Sequence, residues 1–195
     1  MSVSRQLSLF GADAANPEPV DLAGVLAGGG LVSRHDESAQ VSVIVDHPWR
    51  ATALVGECAR RGLAATSMST PADHIAVRTA HTTRLRPLAD AWLIGGAQRV
   101  PRALRLDGAA LRLWALAAGW SAGDTSYSLA VGPSEEVDRE TLGAALAALG
   151  LGAQLVVARG AGRALYRIVG KRRLGRLVEL IGDPPKQAPA DIWPS

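Results

Sequence analysis

The chain is poor in cysteine and in aromatic residues. Its 195 residues include one cysteine, Cys58, and aromatic side chains make up 4% of the total. A lone thiol cannot form an intrachain disulfide, so nothing points to an oxidising compartment, and Cys58 is expected in the core. No apolar run approaches the roughly 18 residues of a membrane span, and the first residues lack the layout of a signal peptide. The sequence therefore predicts a globular cytoplasmic protein with a core of Ala, Leu and Val.

Lysine is scarce as well, since it occurs only at positions 171 and 186, and arginine supplies nearly all of the positive charge. The formal net charge is only +3, but the charge is unevenly distributed. One acidic residue, Glu179, lies between residues 153 and 182 among seven basic ones: Arg159, Arg163, Arg167, Lys171, Arg172, Arg173 and Arg176. An acidic group at 135–140 lies just upstream. This asymmetry favours an anionic partner for the later segment, with a solvated helix face as the alternative.

The patterns of common catalytic sites fail on their context. Residues 119–123 match G-x-S-x-G, but they follow a predicted helix and precede a predicted strand, whereas a nucleophile elbow follows a strand and opens a helix. The four histidines fall in separate loops or element ends without the spacing of a zinc site: His35, His47, His74 and His81. No Walker loop or dinucleotide glycine fingerprint follows a strand. We therefore expect no catalytic residue, no bound metal and no cofactor.

The sequence contains an internal repeat, whose two copies share one order of elements. The first copy predicts a strand at 41–45, a helix at 47–61, strands at 65–69 and 75–80, and a helix at 84–93. The second predicts a strand at 127–131, a helix at 134–149, strands at 154–158 and 165–169, and a helix at 171–181. The glycine stops Gly62 and Gly150 correspond, as do Arg78 and Arg167 in the later strands. Short turns join the later strands of each copy into hairpins.

One more predicted helix precedes each copy. Asp21 is the expected cap of a helix at 22–27, and Asp107 is the expected cap of a helix at 109–118. Both helices are rich in Gly and Ala, which leave a bare face on which two backbones can touch. We therefore expect these helices to pack side by side between the two halves. The tryptophans on helical segments are expected in the core: Trp49, Trp92 and Trp114.

The run from Leu22 to Gly30, Leu-Ala-Gly-Val-Leu-Ala-Gly-Gly-Gly, resembles the LAGLIDADG motif of homing endonucleases. It matches the motif at the first three positions and the last, with hydrophobic equivalents at the fourth and fifth. The order helix, hairpin, helix, hairpin, helix, repeated over about residues 21 to 182, is similar to the monomeric form of that family. The resemblance implies an α+β fold of two αββαββα halves, whose mixed or antiparallel sheets lie along DNA. A duplicated α+β domain of another family is the alternative.

The resemblance also implies a division of the chain. We expect a disordered tail at 1–20, a first half at 21–94, a linker at 95–106, a second half at 107–182 and a Pro-rich tail at 183–195. Trp193 in the last of these folds back on the domain, forms a second docking element or has no role.

Enzymes of this family hold a carboxylate at the eighth motif position of each half, where the two acids bind the divalent metal that assists cleavage. Here that position is Gly29, and it is Trp120 in the second half when Leu113 is aligned with the start of the motif. Neither side chain ligates a metal. Asp36 and Asp124 lie in polar turns and are more typical of solvated loop residues. The resemblance therefore predicts a protein that does not cleave DNA, with an active homing-type endonuclease as an alternative.

Near the N-terminus, Gln6-Leu7-Ser8-Leu9-Phe10 resembles the peptide by which bacterial replication and repair proteins bind the β sliding clamp. All five positions match that pattern. In such a peptide, Leu9 and Phe10 would fill an apolar pocket, and the amide of Gln6 would orient the peptide through hydrogen bonds. The alternatives are a segment that packs its apolar side chains on the folded domain and a tail without function.

Together these features predict a non-enzymatic accessory factor of DNA replication or repair, which the β clamp recruits and which binds DNA through its sheets. We expect a monomer that associates with the nucleoid. A transcriptional regulator with a degenerate LAGLIDADG domain is the alternative, since it would also bind DNA. The expected DNA contacts are basic residues on or beside the later strands: Arg78, Arg159, Arg163, Arg167, Lys171, Arg172 and Arg173.

Overall fold

Two four-stranded sheets, a small hairpin and six α-helices make up the part of the chain that the structure describes. This computed structural model describes residues 16–123, 125–157, 164–189 and 191–194. The first half contains α1 (Ala23–Ala27), β1 (Leu31–His35), β2 (Ser38–Val45), α2 (Pro48–Arg60), β3 (Ala65–Ser69), β4 (Ile75–Thr79) and α3 (Arg86–Trp92). The hairpin consists of β5 (Leu93–Ile94) and β6 (Ala97–Gln98). The second half contains α4 (Gly108–Ala118), β7 (Gly119–Ser121), β8 (Ser126–Val131), α5 (Glu136–Ala148), β9 (Gln154–Val157), β10 (Ala164–Val169) and α6 (Lys171–Ile181).

The two large sheets have the same strand order. It is β1-β2-β4-β3 in the first half and β7-β8-β10-β9 in the second, and every pairing is antiparallel. The register corresponds as well, because Arg78 of β4 lies opposite Ser42 of β2, and Arg167 of β10 lies opposite Ser128 of β8. The predicted α+β fold of two related halves with antiparallel sheets is confirmed.

Helices α1 and α4 touch along bare faces, as the sequence predicted. A Cβ atom at Gly24 would overlap the carbonyl oxygen of Ala110 and would lie 2.9 Å from the amide nitrogen of Trp114. A Cβ atom at Gly28 would lie 3.0 Å from the indole ring of Trp114. Only glycine at position 24 permits this approach of two backbones, and the contact joins the two halves.

One hydrophobic core runs through both halves. Trp49, Trp92, Trp114 and Cys58 are all buried, as expected. Burial raises the pKa of the Cys58 thiol to about 11, so the thiol stays protonated at neutral pH. Trp193 is buried too, and its indole nitrogen donates a hydrogen bond to the carbonyl oxygen of residue 182, so the tail folds back on the domain. Among the described residues, no helix has the length and apolar character that crossing a membrane requires.

The two predicted helix caps have different outcomes. Asp107 caps α4, and its carboxylate accepts a hydrogen bond from the amide of Ala110 at 2.8 Å. The prediction for Asp21 was wrong, because a 3-10 turn at Pro19–Leu22 precedes α1 and includes this residue. The carboxylate of Asp21 instead binds the buried guanidinium of Arg61. The carboxylate also accepts a hydrogen bond from the amide of Glu18 at 3.0 Å, as the third residue of a capping box, so only the partner 40 residues away lies beyond local capping rules.

The structure also contains strands that the sequence pattern did not indicate. Strand β1 buries only one of its five residues, so no alternation is visible there, and β7 has three residues. The β5-β6 hairpin reaches into the segment expected as a linker. Gln98 ties this hairpin to the first half, because its side-chain amide donates to the carbonyl of Gly30 and accepts from the amide of Val32, both at 2.8 Å.

Candidate nucleic-acid interface

The faces of the two large sheets that point away from the helices are free of acidic side chains in the described strands. We call these the outer faces. None of the described strands contains Asp or Glu, and the charged residues within them are Arg34, Arg78 and Arg167, with His35 at the end of β1. A surface that has positive charge and no opposing carboxylate attracts a polyanion.

Arg78 and Arg167 occupy equivalent places on the outer faces, and both are exposed. Each lies in a row of four paired residues, and these two sets are called the arginine rows. They are Leu31, Ser42, Arg78 and Thr66 in the first sheet, and Trp120, Ser128, Arg167 and Gln154 in the second. Within the described part of the chain, neither guanidinium forms an ion pair, so both are available for a phosphate group.

Apolar side chains lie beside each arginine row, two residues further along the strands. We call these sets the apolar rows. They are Ile44, Ala76 and Met68 in the first sheet, and Ala130, Leu165 and Val156 in the second. Ile44 and Met68 are strongly exposed, as is Leu31 at the edge of the first sheet. The outer faces therefore combine arginine with hydroxyl, amide and apolar groups.

Three predicted contact residues lie together at the start of α6, directly after β10. Lys171, Arg172 and Arg173 are exposed, and we call them the α6 basic group. Together with Arg176 and neighbouring backbone they line an open depression of about 570 Å³. The amide of Gly170 donates to the carbonyl of residue 125, so this group lies beside the turn between β7 and β8. The positive surface of Arg167 thus continues to the end of the second sheet at the β7-β8 turn. We call this end, and the equivalent end of the first sheet at the β1-β2 turn, the outer ends of the sheets.

At the corresponding end of the first sheet, two arginines form ion pairs with carboxylates. Arg34 of β1 binds Asp90 of α3, and Arg86 binds both Glu37 in the β1-β2 turn and Asp90. These pairs neutralise Arg34 and Arg86, which leaves Arg84 as the exposed arginine at this end that has no ion pair in the described part of the chain. The two outer faces therefore differ in charge although their strands correspond.

Several residues that the sequence singled out lie outside the described residues. They are Gln6, Leu7, Ser8, Leu9 and Phe10 of the clamp-binding pattern, Arg159 and Arg163 of the expected DNA contacts, and Asp124. Their predicted roles stay predictions.

The C-terminal end of α4 holds a buried guanidinium. Arg50 of α2 is 4% exposed, and it donates hydrogen bonds to the carbonyl oxygens of Ala115, Leu116 and Gly119 at 3.1, 2.8 and 2.6 Å. Burial lowers the pKa of Arg50, and the carboxylate of Asp46, 3.1 Å from its Nε, acts in the opposite direction. The guanidinium binds carbonyl oxygens at the end of the helix, of which that of Ala115 also accepts the amide of Gly119, and its charge is favourable at a helix C-terminus. A cation at this point repels a second cation, and so opposes a divalent metal there.

The end of α1 is closed by glycine backbone instead. Gly29 has a φ of +99°, and a Cβ atom on Gly132 would lie 2.7 Å from the Cα of Gly29. The amide of Gly132 donates to the carbonyl oxygen of Ala27 at 3.1 Å. This close approach leaves no room for a side chain at position 132, and the positive φ at position 29 strains any residue other than glycine, so neither position presents a ligand.

The register corrects the alignment of Trp120 with Gly29. Trp120 pairs with Ser128 as Leu31 pairs with Ser42, so Trp120 corresponds to Leu31 and lies on the outer face of β7. Counting back, the residue equivalent to Gly29 is Ala118, which also lacks a metal-binding group. Among the described residues, no three His, Cys, Asp or Glu side chains are grouped to hold a metal ion.

Other candidate groups have local structural partners. Asp36 lies in the β1-β2 turn with its side chain 88% exposed, at the far end of the hairpin from the end of α1. The hydroxyl of Ser121 donates to the carbonyl oxygen of Trp193 at 3.2 Å, and its strand follows α4, so the G-x-S-x-G match forms no nucleophile elbow. The structure does bring two histidines together, because the rings of His35 and His81 lie 5.8 Å apart.

Sequence reasoning missed Arg50 and the absence of acids from the described strands. Arg50 follows a tryptophan at the start of a helix and has no local signal, because its three acceptors lie 65 to 69 residues later in the chain. The absence of Asp and Glu is visible in the sequence as soon as the strand bounds are known. This absence is informative because it applies to the outer faces, and those faces can be defined only when the pairing of the strands is known.

No protein-family model and no curated protein matches the chain. Solved structures do resemble it. The homing endonuclease I-WcaI, bound to its DNA recognition sequence, superposes with a TM-score of 0.62 at 9% identity, over 93% of this chain and 90% of that one. The N-terminal LAGLIDADG domain of DUF199/WhiA superposes with a TM-score of 0.59 at 14% identity, over 91% and 87%. I-DmoI in complex with DNA and Mn gives 0.52 at 10% identity, over 85% and 97%. The chain therefore has a LAGLIDADG-like fold.

Proposed function

We propose that this protein binds DNA through the outer faces of its two sheets and acts as a non-enzymatic accessory factor in replication or repair. The observation that carries the proposal is the pair of outer faces, whose described strands present arginine at equivalent positions and no carboxylate. The solved structures of similar fold support it, because I-WcaI is bound to its recognition sequence and I-DmoI is in complex with DNA. Arg78, Arg167 and the α6 basic group are the contacts proposed from the described residues.

The contribution of the sheets is tested by Arg78→Gln combined with Arg167→Gln. Each phosphate contact contributes about 0.9 to the slope of log affinity against log salt, so we expect the slope to fall by about 1.8. The matched control is Arg102→Gln with Arg105→Gln, which removes the same charge from exposed positions beside α5. Equal effects of the two double variants would show that binding depends on net charge alone, and would contradict a sheet interface.

Recruitment rests on the peptide Gln6 to Phe10, whose five residues match the clamp-binding pattern. Leu9→Ala with Phe10→Ala removes two apolar anchors that contribute roughly 1.5 to 3 kcal/mol each, so a micromolar complex with the purified β clamp should weaken at least about 100-fold. Val3→Ala, outside the pattern, is the control in calorimetry. If the double variant binds as the wild type does, the clamp is not the partner, and a DNA-binding regulator becomes the better account.

The absence of cleavage is part of the proposal. Gly29 and Ala118 offer no oxygen ligand, and the guanidinium of Arg50 lies at the end of α4. Magnesium and manganese require such ligands beside the scissile phosphate. We expect supercoiled plasmid to stay intact with purified protein and either metal. Nicking that disappears in Asp36→Asn or Asp124→Asn would show that the chain is an enzyme.

A further inference from the structure

The outer faces expose more apolar surface than phosphate binding explains. Leu31, Ile44 and Met68 are 60%, 63% and 66% exposed; Ile44 and Met68 lie on the two sides of Ala76, and Leu31 lies on the edge strand next to β2, diagonal to Ile44. Burying such side chains gains roughly 25 cal/mol for each Å² removed from water. A contiguous apolar patch of this kind marks a binding surface.

The second sheet repeats the arrangement with an aromatic residue. Trp120, which corresponds to Leu31, is 36% exposed at the edge of the arginine row. Its neighbour Ser128 is 1% exposed, and the hydroxyl has no hydrogen-bond partner among the described residues. Each sheet thus carries an apolar group on its edge strand and an apolar row beside its arginine.

Paired DNA offers little to these side chains. The major groove displays hydrogen-bonding edges, and its apolar group is the methyl of thymine. Unpaired bases present flat faces, and proteins stack them on aromatic side chains, or hold them between aromatic and apolar ones, beside a positive groove along the backbone. An apolar row lies about 7 Å from its arginine row, the rise of two strand residues, so base and phosphate can be held on one face.

The charge of the outer faces also favours a single nucleic-acid strand as the partner. Within the described residues, Arg78 and Arg167 have no ionic partner, and no carboxylate lies on the strands of either outer face. A protein partner would have to bring its own acidic residues to both sheets, at equivalent positions. A single nucleic-acid strand supplies negative charge and apolar base faces at every step.

We propose that the apolar rows, with Leu31 and Trp120, bind unpaired bases, so that the DNA recognised is single-stranded or locally unpaired. The inference rests on the proposed DNA-binding function and names its ligand. Arg78 and Arg167 hold the phosphates of the strand, and Trp120 stacks on a base.

Trp120 supplies a direct probe, because it is the exposed tryptophan. The other four, Trp49, Trp92, Trp114 and Trp193, are between 0% and 7% exposed. Titration with a 20-nucleotide single strand should quench the intrinsic fluorescence of the full-length protein, and Trp120→Phe should lose most of that quenching. The single strand should bind at least tenfold more tightly than a duplex of the same sequence.

The apolar rows are tested by Leu31→Thr, Ile44→Thr and Met68→Thr, which place a β-branched residue at each exposed strand position. The triple variant should bind the single strand about tenfold more weakly, with duplex affinity changed less than twofold and an unchanged melting temperature. Val20→Thr with Ile94→Thr is the control, since these side chains are similarly exposed but lie off both large sheets.

The outcomes separate this inference from the function on which it rests. Duplex binding that depends on Arg78 and Arg167, together with no preference for the single strand and no effect of the threonine variants, overturns the inference and leaves DNA binding in place. Affinity for both DNAs that is indifferent to the two arginines removes the proposed function as well. In that case, the apolar rows would be the surface for a protein partner.

Discussion

The sheets of the two halves have the same strand order, but their outer ends differ in charge. Arg78 and Arg167 lie in the same register, each opposite a serine. Beyond them, the first sheet ends in ion pairs of Arg34 and Arg86 with carboxylates, whereas the second leads into the exposed α6 basic group. The two halves therefore share the strand register, while the exposed positive charge beyond the sheets lies mainly in the second half.

The ends of the two central helices differ in a similar way. Glycine backbone from the second half closes the end of α1, and a guanidinium from the first half closes the end of α4. Each half thus supplies the group that completes the other. Stability across the interface should therefore depend on the guanidinium of Arg50 and, separately, on the close contact of α1 with α4 at Gly24.

The largest effect is expected for Arg50→Leu. The change removes the guanidinium from three buried carbonyl oxygens at the end of α4, of which that of Ala115 keeps the amide of Gly119, and an unsatisfied buried polar group costs about 1 to 3 kcal/mol. We expect the free energy of unfolding in urea to fall by about 3 to 5 kcal/mol, the range for a broken buried charged network. Arg60→Leu is the control, because Arg60 is half-exposed on the same helix. A decrease below about 1 kcal/mol for Arg50→Leu would mean that water replaces the guanidinium without cost.

The next effect concerns the glycine contact. Gly24→Ala forces a Cβ atom into the carbonyl group of Ala110, and over-packing of this kind costs about 3 kcal/mol. Gly56→Ala is the matched control in α2, where a Cβ atom has no neighbour within 4 Å. That change should raise stability by about 0.5 to 1 kcal/mol, because alanine loses less conformational freedom in a helix. Opposite signs in thermal unfolding are expected; similar decreases for both would point to a general intolerance of helix substitution.

Much of this architecture could be predicted from the sequence, and what could not has a physical reason. The helix at 171–181 was predicted with its observed bounds, since Leu174 and Leu177 recur at helical spacing and are buried. Asp107 was predicted as a cap from a local rule. Asp21 was predicted as the cap of α1, but it is the third residue of a 3-10 turn that Glu18 begins, and its buried partner Arg61 lies at the end of α2. Local patterns therefore sufficed for elements, but not for contacts that the tertiary fold creates.

For the candidate site too, local patterns could be predicted from the sequence, whereas contacts between distant residues could not. The sequence pointed to Arg78 and Arg167 as equivalent residues, and the register places them so. It could not place Arg50 at the end of α4, and it set Trp120 two residues out of register. Strand pairing, which depends on residues far apart in the chain, defines the faces on which these side chains lie.

The salt dependence of DNA affinity tests whether the α6 basic group contributes more than the paired arginines of the first sheet. Lys171→Gln, Arg172→Gln and Arg173→Gln together should reduce the salt slope by roughly 2 to 3, since each phosphate contact contributes about 0.9. Arg34→Gln with Arg86→Gln should change the slope by less than about 1, because these residues already bind carboxylates. Fluorescence anisotropy with one DNA at several salt concentrations measures both. If both sets of substitutions reduce the salt slope equally for each charge removed, the two outer ends contribute equally to DNA binding, which contradicts the predicted asymmetry.

The smallest effect is expected in the pH dependence of stability, which tests the buried ionic network between the halves. The carboxylate of Glu57 lies 2.7 Å from Arg61 and 3.0 Å from Arg112 of α4, and Arg61 also binds Asp21 at 2.9 Å. Burial opposes ionisation of Glu57, but the hydrogen bonds from Arg61 and Arg112 outweigh it and hold the pKa of this carboxyl below its ordinary value near 4.5. For Asp21, burial outweighs the hydrogen bond from Glu18 and the charge of Arg61, and the pKa is raised.

These two shifts act on stability with opposite signs. Because the pKa of Glu57 is lower in the folded state, its contribution is present above about pH 4.5 and is lost as the pH falls through the folded value. Because the pKa of Asp21 is higher in the folded state, the folded protein binds this proton first, and stability rises as the pH falls through that value. Asp21 therefore offsets part of the decrease, so the wild type should lose little stability between about pH 5 and 4 and more below that. Glu57→Gln should be less stable at about pH 7 but should lose less on acidification, whereas Glu179→Gln, on the exposed face of α6, should follow the wild-type profile. Urea unfolding at a series of pH values measures this, and parallel profiles for Glu57→Gln and the wild type would show that other carboxylates set the acid limit.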